Sequence, residues 1–254
     1  MKKLILLFML LFGTLSFATK KLYVGTNAEY KPYEYIENGK IVGFDAELME
    51  AICKKLGYEV VWNNIAFDGL IPALQTNKLD AIIAGMKQTP ERQKAVTFSM
   101  PYLLVASDEH FILVNKDSKL TSKDELKGLK IGTQLGSVQE EFAKKMTDID
   151  KVILYNSWTG ALMDVENNKI DAVILSDTSA TEYLKTMKDL KKLDTIKDEK
   201  PGASIAFKKG NIELAEASNK AIMELVDEGT YLKILQKYFP EKVDKFLQLY
   251  PNQK

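Results

Sequence analysis

The chain has 254 residues, with 35 basic and 35 acidic side chains, one His and one Cys. Hydrophobic residues make up 46% of it, which is enough for one large core or two smaller ones. The balanced charge argues against a general nucleic-acid binder, because such proteins carry surplus cations that replace the counterions of phosphates. A single His and a single Cys exclude a structural zinc site and a disulfide framework, and we expect no metal and no cofactor.

The amino-terminal residues 1–18 have the composition of a secretory signal. Lys2 and Lys3 precede an apolar run without charges that ends in small residues at Ala18. A run of about 14 residues is too short to cross a ~30 Å hydrocarbon core as a helix. A buried core segment is the alternative, but the run shows no regular period. We therefore expect cleavage after Ala18 and a mature protein in the periplasm.

Short apolar runs alternate with helical patterns along two stretches of the chain. The first stretch predicts a strand, a helix, a strand, a helix, a strand and a helical turn, at 21–25, 43–56, 59–63, 67–77, 81–84 and 90–95. The second predicts strand, helix, strand, helix and strand, at 129–133, 137–145, 152–155, 157–167 and 172–175. This alternation is typical of parallel sheets with helices on their faces, so we expect an α/β fold.

The carboxyl-terminal part predicts a return of the chain to the first unit. A strand at 203–207 is followed by amphipathic helices at 212–227 and 230–238, whose apolar faces must dock on an existing core. This predicts two lobes joined by two crossing strands, near 110–114 and 203–207, with a ligand cleft between them. The first lobe would comprise 19–109 and 205–254, and the second, with the hinge segments, 110–204.

Two residues with reactive side chains lie in apolar patterns. Cys53 falls within a predicted helix, and His110 begins an apolar run that resembles a strand. An unpaired Cys in such a pattern behaves as a small hydrophobic side chain. We interpret both as structural residues.

Arg92 is a candidate anion-binding residue. Thr89 suits the position before a helix, Pro90 suits its first position, and Arg92 then falls in the first turn. A cation there opposes the helix dipole, so another interaction must favour it. A bidentate guanidinium–carboxylate contact is one such interaction, and a surface salt bridge is the alternative.

The second unit contains a helix start that is also suited to an anion. Gly132-Thr-Gln-Leu-Gly136 is followed by Ser137-Val-Gln-Glu140, which is a strand, a glycine turn and a capping box. The free N–H groups at such a helix start attract anions. Ser137 would cap the helix whether or not an anion binds.

Several motifs in order resemble the periplasmic polar amino-acid-binding proteins of ABC importers, bacterial extracellular solute-binding protein family 3. The motifs cover the whole mature chain and are Gly25-Thr-Asn-Ala-Glu-Tyr-Lys-Pro-Tyr-Glu, Val42-Gly-Phe-Asp-Ala-Glu-Leu, Phe67-Asp-Gly-Leu-Ile-Pro-Ala-Leu, Asp80-Ala-Ile-Ile-Ala-Gly-Met, Thr89-Pro-Glu-Arg, Phe98-Ser-Met-Pro-Tyr, Asp171-Ala-Val-Ile and Asp227-Glu-Gly-Thr-Tyr. The resemblance implies a type II periplasmic-binding-protein fold that closes on one free amino acid, a transient inner-membrane ABC permease partner, and a monomer.

The resemblance also implies roles for individual residues. Arg92, Ser137 and the backbone at Val138 would bind the α-carboxylate of the amino acid. The α-ammonium would be received by the first lobe at Ala84, Gly85, Met86 and Lys87, and by the second lobe at Ser176 or Asp177. The ligand side chain would stack between Tyr30 and Phe67, and its tip would lie near Asn27 and Gln134.

Two of these positions depart from the family pattern. Lys87 stands where a hydroxyl residue is common, and it would repel an ammonium at close range, so we expect it to point into solvent or towards a carboxylate. Ser176 aligns with an acidic position of the family, and Asp177 follows one residue later. We expect Asp177 to supply the negative charge.

The predicted function is capture of a polar L-amino acid, cationic ones included, for delivery to an ABC permease, without catalysis. Asn27 in place of an acid weakens the case for lysine, whereas arginine, glutamine and histidine are compatible with the aromatic pair. The alternative is a periplasmic enzyme of the same fold, such as a cyclohexadienyl or arogenate-type dehydratase. Its acid or base would be Glu29, Glu34 or Asp177.

Overall fold

A computed structural model describes residues 19–105, 109–199 and 202–253; the predicted signal, 1–18, lies outside this part. Strands occur between Lys20 and Lys208. They are β1 (Lys20–Thr26), β2 (Glu29–Tyr30), β3 (Glu34–Glu37), β4 (Lys40–Val42), β5 (Tyr58–Asn64), β6 (Ala81–Ile82), β7 (Val96–Pro101), β8 (Glu109–Asn115), β9 (Ile131–Gln134), β10 (Val152–Tyr155), β11 (Ala172–Ser176), β12 (Leu190–Lys197) and β13 (Ser204–Lys208).

Helices alternate with these strands and then end the chain. They are α1 (Phe44–Leu56), α2 (Leu70–Gln75), α3 (Pro90–Ala95), α4 (Val138–Met146), α5 (Trp158–Glu166), α6 (Asp177–Thr186), α7 (Ile212–Asp227), α8 (Thr230–Tyr238) and α9 (Val243–Leu249). Among the described residues, none of these helices combines the length and the apolar character needed to cross a membrane.

The first sheet has the strand order β5-β1-β6-β13-β7. β1 runs parallel to β5 and β6, whereas β13 is antiparallel to β6 and β7. Alternate residues of its central strands face opposite sides, so Ile83 and Phe207 join the core with α1, α7 and α8, while Ile82 and Ala206 pack towards α2. Burial on both faces accounts for the continuous apolar runs in these strands.

The second sheet repeats this plan with the order β10-β9-β11-β8-β12. β9 is parallel to β10 and β11, and β8 is antiparallel to β11 and β12. Leu113 and Val173 pack against Trp158 of α5 on one face, and Ile112 and Ile174 belong to the core on the side of Ala143 of α4. The two α/β units expected from the sequence are therefore present.

The chain passes between the sheets twice. It leaves the first sheet after Pro101, enters the second at Glu109, leaves it after Lys197 and returns at Ser204. The segments predicted to cross between the lobes, near 110–114 and 203–207, lie almost entirely within β8 and β13. The chain crosses just before each of these strands. Cys53 is buried in α1, as predicted.

Residues 29–42 form a small antiparallel sheet, β2-β3-β4, that the apolar pattern did not predict. Asn38 and Gly39 both have positive φ in the turn between β3 and β4, at 51° and 74°. Asn-Gly is the strongest short-range hairpin signal because both central residues of such a turn require positive φ. β7, β12 and α6 were also not predicted as elements.

Tyr231 connects α8 to the segment that follows β7, so we predict that Tyr231→Phe destabilises the protein. Its hydroxyl group donates to the carbonyl oxygen of Tyr102 at 2.9 Å and accepts from the N–H of Leu104 at 3.0 Å. Its removal leaves two backbone groups unpaired and should lower the free energy of unfolding by about 1–3 kcal/mol. Urea unfolding measures the change.

Tyr23→Phe is the matched control, because Tyr23 is 45% exposed. We expect its effect to stay within about 0.5 kcal/mol. Equal stabilities of the two variants would contradict the role assigned to the Tyr231 hydroxyl group.

Candidate functional site

A cavity lies in the cleft between the two sheets and is lined by residues of both. Most of the predicted binding residues form its wall: Asn27, Tyr30, Phe67, Ala84, Gly85, Lys87, Arg92, Gln134, Ser137, Val138, Ser176 and Asp177. Met86 does not line it, because its side chain packs in the apolar core with Leu70 and Leu74. The sequence did not predict the other wall residues Tyr33, Leu103, Glu109, His110, Gln139, Trp158 and Ala203, nor a binding role for Glu34.

Parallel strands bring these residues together. Asn27 follows β1, Ala84 follows β6, and Gln134 and Ser176 end β9 and β11. The carboxyl ends of parallel strands meet at one edge of a sheet, and ligands of open α/β sheets bind outside that edge. Residues distant in sequence therefore share one cleft.

Arg92 belongs to α3, and its side chain reaches from the first lobe to the second. Its guanidinium group donates to the carbonyl oxygens of Lys87 and Gly136, each at 2.8 Å, and lies 5.2 Å from the ring centroid of Phe67. Burial lowers the pKa of Arg92 to about 10, and the charge of Glu141 opposes this shift. The group is therefore still protonated at neutral pH, and its two hydrogen bonds go to uncharged oxygens.

The start of α4 faces the same part of the cavity. Ser137 precedes the helix, and its Oγ accepts from the N–H of Glu140 at 3.4 Å and donates to the carbonyl oxygen of Gln134 at 2.7 Å. Val138 is the first residue of the helix. This end of the cavity thus combines a guanidinium group with a helix amino terminus, both of which favour an anion.

Contacts between the lobes show that the cleft is closed. Gln134 Nε2 donates to Asn27 Oδ1 at 2.8 Å, and the hydroxyl group of Tyr183 donates to the carbonyl oxygen of Glu29 at 2.9 Å. The ring of Tyr30 stacks between Tyr33 and Trp158, at centroid distances of 5.1 and 6.2 Å. Tyr30 therefore packs on a residue of the other lobe, while Phe67 lies against Arg92.

Carboxyl groups lie in the cavity wall and directly behind it. Asp45 Oδ2 accepts from the N–H of Gly85 at 2.9 Å and from the hydroxyl group of Tyr102. Burial raises the pKa of Asp45 to about 6, and burial next to Asp45 raises the pKa of Glu34 well above its ordinary value. Burial also raises the pKa of Tyr30, with smaller contributions from Glu34 and Asp177, so both acids lie near this residue.

Gly85 is held in a conformation that favours glycine. Its φ is +57°, and a side-chain carbon there would lie 3.0 Å from the ring of Tyr30. Only a residue without a side chain lets the backbone pass this close to the aromatic ring. Asp45 fixes the N–H of this residue, so α1 positions the backbone of the cavity wall.

Lys87 points towards a carboxylate, as expected. Its Nζ lies 3.0 Å from Asp198 Oδ2, and the same oxygen lies 3.1 Å from His110 Nε2. Gln139 Nε2 lies 3.2 Å from His110 Nδ1. With the amide in this orientation Nδ1 accepts, so a neutral His110 carries its proton on Nε2 and donates to Asp198. Asp198 follows β12 and had no recognisable signal in the sequence.

Ser176 and Asp177 occupy adjacent positions at the start of α6. Ser176 Oγ accepts from the N–H of Ser179 at 3.3 Å and so caps the helix. Asp177 is its first residue, and its Oδ1 accepts from the hydroxyl group of Thr178 at 3.1 Å. Both residues line the cavity.

Comparison with known proteins identifies the family. The family model of bacterial extracellular solute-binding proteins, family 3, matches residues 22–241. This match covers most of the chain, and the protein belongs to that family.

Individual relatives are similar over most of their length. The arginine-binding extracellular protein ArtP of Bacillus subtilis is 40% identical over 224 residues, which are 87% of this chain and 86% of that protein. A probable histidine-binding protein of Campylobacter jejuni is 38% identical over 221 residues, 87% of this chain and 85% of that protein. The structure of an ancestral arginine-binding protein bound to arginine has a TM-score of 0.79 at 40% identity, covering 86% of this chain and 98% of that one.

These similarities confirm the predicted two-lobed periplasmic-binding-protein fold and the extracytoplasmic solute-binding function. The relatives are named as binding proteins, so the dehydratase alternative is not favoured. Family members are extracellular.

We predict that Asp198→Asn lowers the free energy of unfolding by about 3 kcal/mol, because it leaves a buried cation without its counter-charge. The side chains of Lys87 and Asp198 are only 12% and 2% exposed. Lys87→Met removes that cation, so the double variant should recover part of the loss. Urea unfolding of both single variants and the double variant measures the coupling.

Asp189→Asn is the control for this set of Lys87 and Asp198 variants. It breaks the Lys116–Asp189 pair, whose side chains are 52% and 58% exposed, and should cost at most about 1 kcal/mol. Strictly additive effects of Asp198→Asn and Lys87→Met would show that the pair is not coupled.

The raised pKa of Glu34 predicts a pH-dependent stability. The folded state binds this proton more tightly than the unfolded state does, so the wild-type protein loses stability as the pH rises above the ordinary value of 4.5. Until the folded-state pKa is reached, the loss is about 1.4 kcal/mol per pH unit. Glu34→Gln removes the titration, so its Tm relative to the wild type should increase between pH 5 and 8.

Glu37→Gln tests whether this effect is specific. Glu37 is an exposed residue of the same strand, β3. Its Tm should stay parallel to that of the wild type at every pH. A Glu34→Gln curve that is also parallel would contradict the raised pKa.

Proposed function

We propose that this protein captures one free, polar L-amino acid in its cleft and delivers it to the permease of an ABC transporter. The observation that carries this proposal is the polarity of the cavity. Arg92 and the start of α4 favour an anion, and the carboxyl groups of Glu34 and Asp177 line the same cavity near Tyr30. A zwitterionic ligand carries both kinds of charged group.

The proposed contacts follow this polarity. Arg92, Ser137 and the backbone at Val138 would bind the α-carboxylate, since a charge-assisted guanidinium–carboxylate pair is strong and directional. The α-ammonium would lie near Gly85 and Asp177. The side chain would extend along Phe67 towards Asn27 and Gln134.

Capture would work by closure of the two lobes. We propose lobe boundaries at 19–109 with 205–254, and at 110–204. A ligand that contacts both lobes stabilises the closed arrangement relative to the open one, because it gains contacts only there. We further propose a monomer, exported to the periplasm and cleaved after Ala18.

The identity of the amino acid is proposed from the chemistry of the cavity and from the relatives. Relatives of similar identity are named for arginine and for histidine, and both ligands have planar, polar side chains. The amide groups of Asn27 and Gln134 supply donors and acceptors without a full charge. Arginine, histidine and glutamine are therefore the leading candidates, ahead of lysine.

A thermal-shift screen of the twenty amino acids tests the proposal. A ligand at 100 times its Kd stabilises the folded state by about 2.7 kcal/mol, which raises Tm by several degrees in a protein of this size. At least one candidate should produce this shift without being chemically altered. If none of the twenty shifts Tm, or if the ligand is converted to a product, the proposed function is wrong.

Arg92→Ala should weaken binding by about 10- to 100-fold, as expected for the loss of hydrogen bonds to a charged group. Lys94→Ala is the matched control, because Lys94 is an exposed cation on the same helix, α3. Its binding should equal that of the wild type. Unchanged affinity in Arg92→Ala, with a native Tm without ligand, would exclude Arg92 as the carboxylate-binding residue.

A further inference from the structure

One buried carboxyl group lines the cavity and contacts a second one that lies behind the cavity wall. Glu34 at the start of β3 is 1% exposed and lines the cavity, and Asp45 of α1 is 0% exposed. They belong to different elements and approach each other behind Gly85, whose N–H is bound by Asp45. A carboxylate removed from water is costly unless charge or hydrogen bonds compensate it.

Hydrogen bonds compensate only part of this pair. Asp45 Oδ2 accepts two donors, from Gly85 and Tyr102. Asp45 Oδ1 and Glu34 Oε2 are both buried, and neither accepts a hydrogen bond from an N–H group or a hydroxyl group of the described residues. Two adjacent carboxyl groups in such a site cannot both be ionised without strong repulsion, so the pair holds one proton.

The hydrogen bonds of the pair favour this proton on Glu34. Gly85 and Tyr102 donate to Asp45 and stabilise its carboxylate, whereas Glu34 Oε2 receives no such donor. Burial and the negative charge of Asp45 accordingly raise the pKa of Glu34 well above its ordinary value.

The groups around the two carboxyls are other carboxyl groups and phenol groups, and not cations. Tyr30 and Tyr33 pack on one side, Tyr102 follows β7, and Asp177 at the start of α6 acts on both Tyr30 and Tyr33. The cation of Lys87 is bound to Asp198, and the guanidinium group of Arg92 donates to the carbonyl oxygens of Lys87 and Gly136. Among the described residues, none of the groups acting on the two carboxyls is a cation.

We propose that Glu34 contacts the positively charged group of the ligand and releases its proton to solvent when that group binds. The proposal rests on the proposed function, because it requires a ligand with an ammonium or similar cation. The O–H bond of Glu34 breaks, the electron pair stays on the carboxylate, and the ligand cation takes the place of the proton as the neutralising charge. The net charge of this wall is thus the same before and after binding.

Because of this proton release, the affinity for the ligand should rise with pH. Binding releases a proton, so a higher pH favours the bound state. Affinity should increase by up to tenfold per pH unit while Glu34 is protonated in the free protein and ionised in the complex. If the ligand were bound by a carboxylate that is ionised both before and after binding, the affinity would not depend on pH near neutrality.

Isothermal titration calorimetry of the mature chain tests this exchange with the amino acid that gives the largest thermal shift. Titrations between pH 6.5 and 7.5, in phosphate and in Tris, give the number of protons released, because the two buffers differ in ionisation enthalpy. The ligand's own ammonium is fully protonated at these pH values. The wild type should release up to one proton and bind more tightly at pH 7.5 than at pH 6.5.

Glu34→Gln should bind without releasing this proton, and its affinity should depend less on pH than that of the wild type. Gln keeps the shape of protonated Glu34 and a donor for Asp45, so the site should remain assembled. Glu37→Gln should behave as the wild type. Ligand binding by the wild type without proton release, or equal release by Glu34→Gln, would overturn the inference, whereas absence of any binding by the wild type would refute the proposed function instead.

Discussion

Burial of charge in a cleft shared by two sheets is the constraint on which this site depends. A charge removed from water needs a partner nearby, and the cleft meets that need in three ways. Arg92 is held by carbonyl oxygens of both lobes, Lys87 is paired with Asp198, and burial beside Asp45 raises the pKa of Glu34, which favours its protonated form. The first and third arrangements leave positions where ligand charges fit, while the second is complete within the protein.

This difference explains why Lys87 is compatible with a site for an ammonium group. The Nζ of Lys87 is drawn towards the crossing between the sheets by Asp198, which also accepts from His110. The positive charge is thereby neutralised away from Gly85 and Asp177. A lysine that looks repulsive in the sequence becomes part of the structural connection between the lobes.

Much of the fold and part of the site could be predicted because their signals are local. Thr89 and Pro90 mark the start of α3, and this places Arg92; residues just after a strand fall in the cleft because parallel strands end together. The Glu34–Asp45 and Lys87–Asp198 pairs could not be predicted, because they join elements that only the folded chain brings together. The turn at Asn38-Gly39 did carry a local signal for the small sheet, which the apolar pattern alone does not contain.

The position of Asp198 has a mechanical consequence. Asp198 lies at the beginning of the return crossing, and rotation of two lobes takes place about their connecting segments. Atoms near the axis of a rotation move little, so the contacts of Asp198 with Lys87 and His110 persist through small opening angles. The bond from Tyr183 to Glu29 joins the body of the second lobe to the first, where the same rotation acts through a longer lever arm. If capture works by the proposed lobe closure, opening would therefore break the rim of the cleft first, and the polar network at the crossings would act as its pivot.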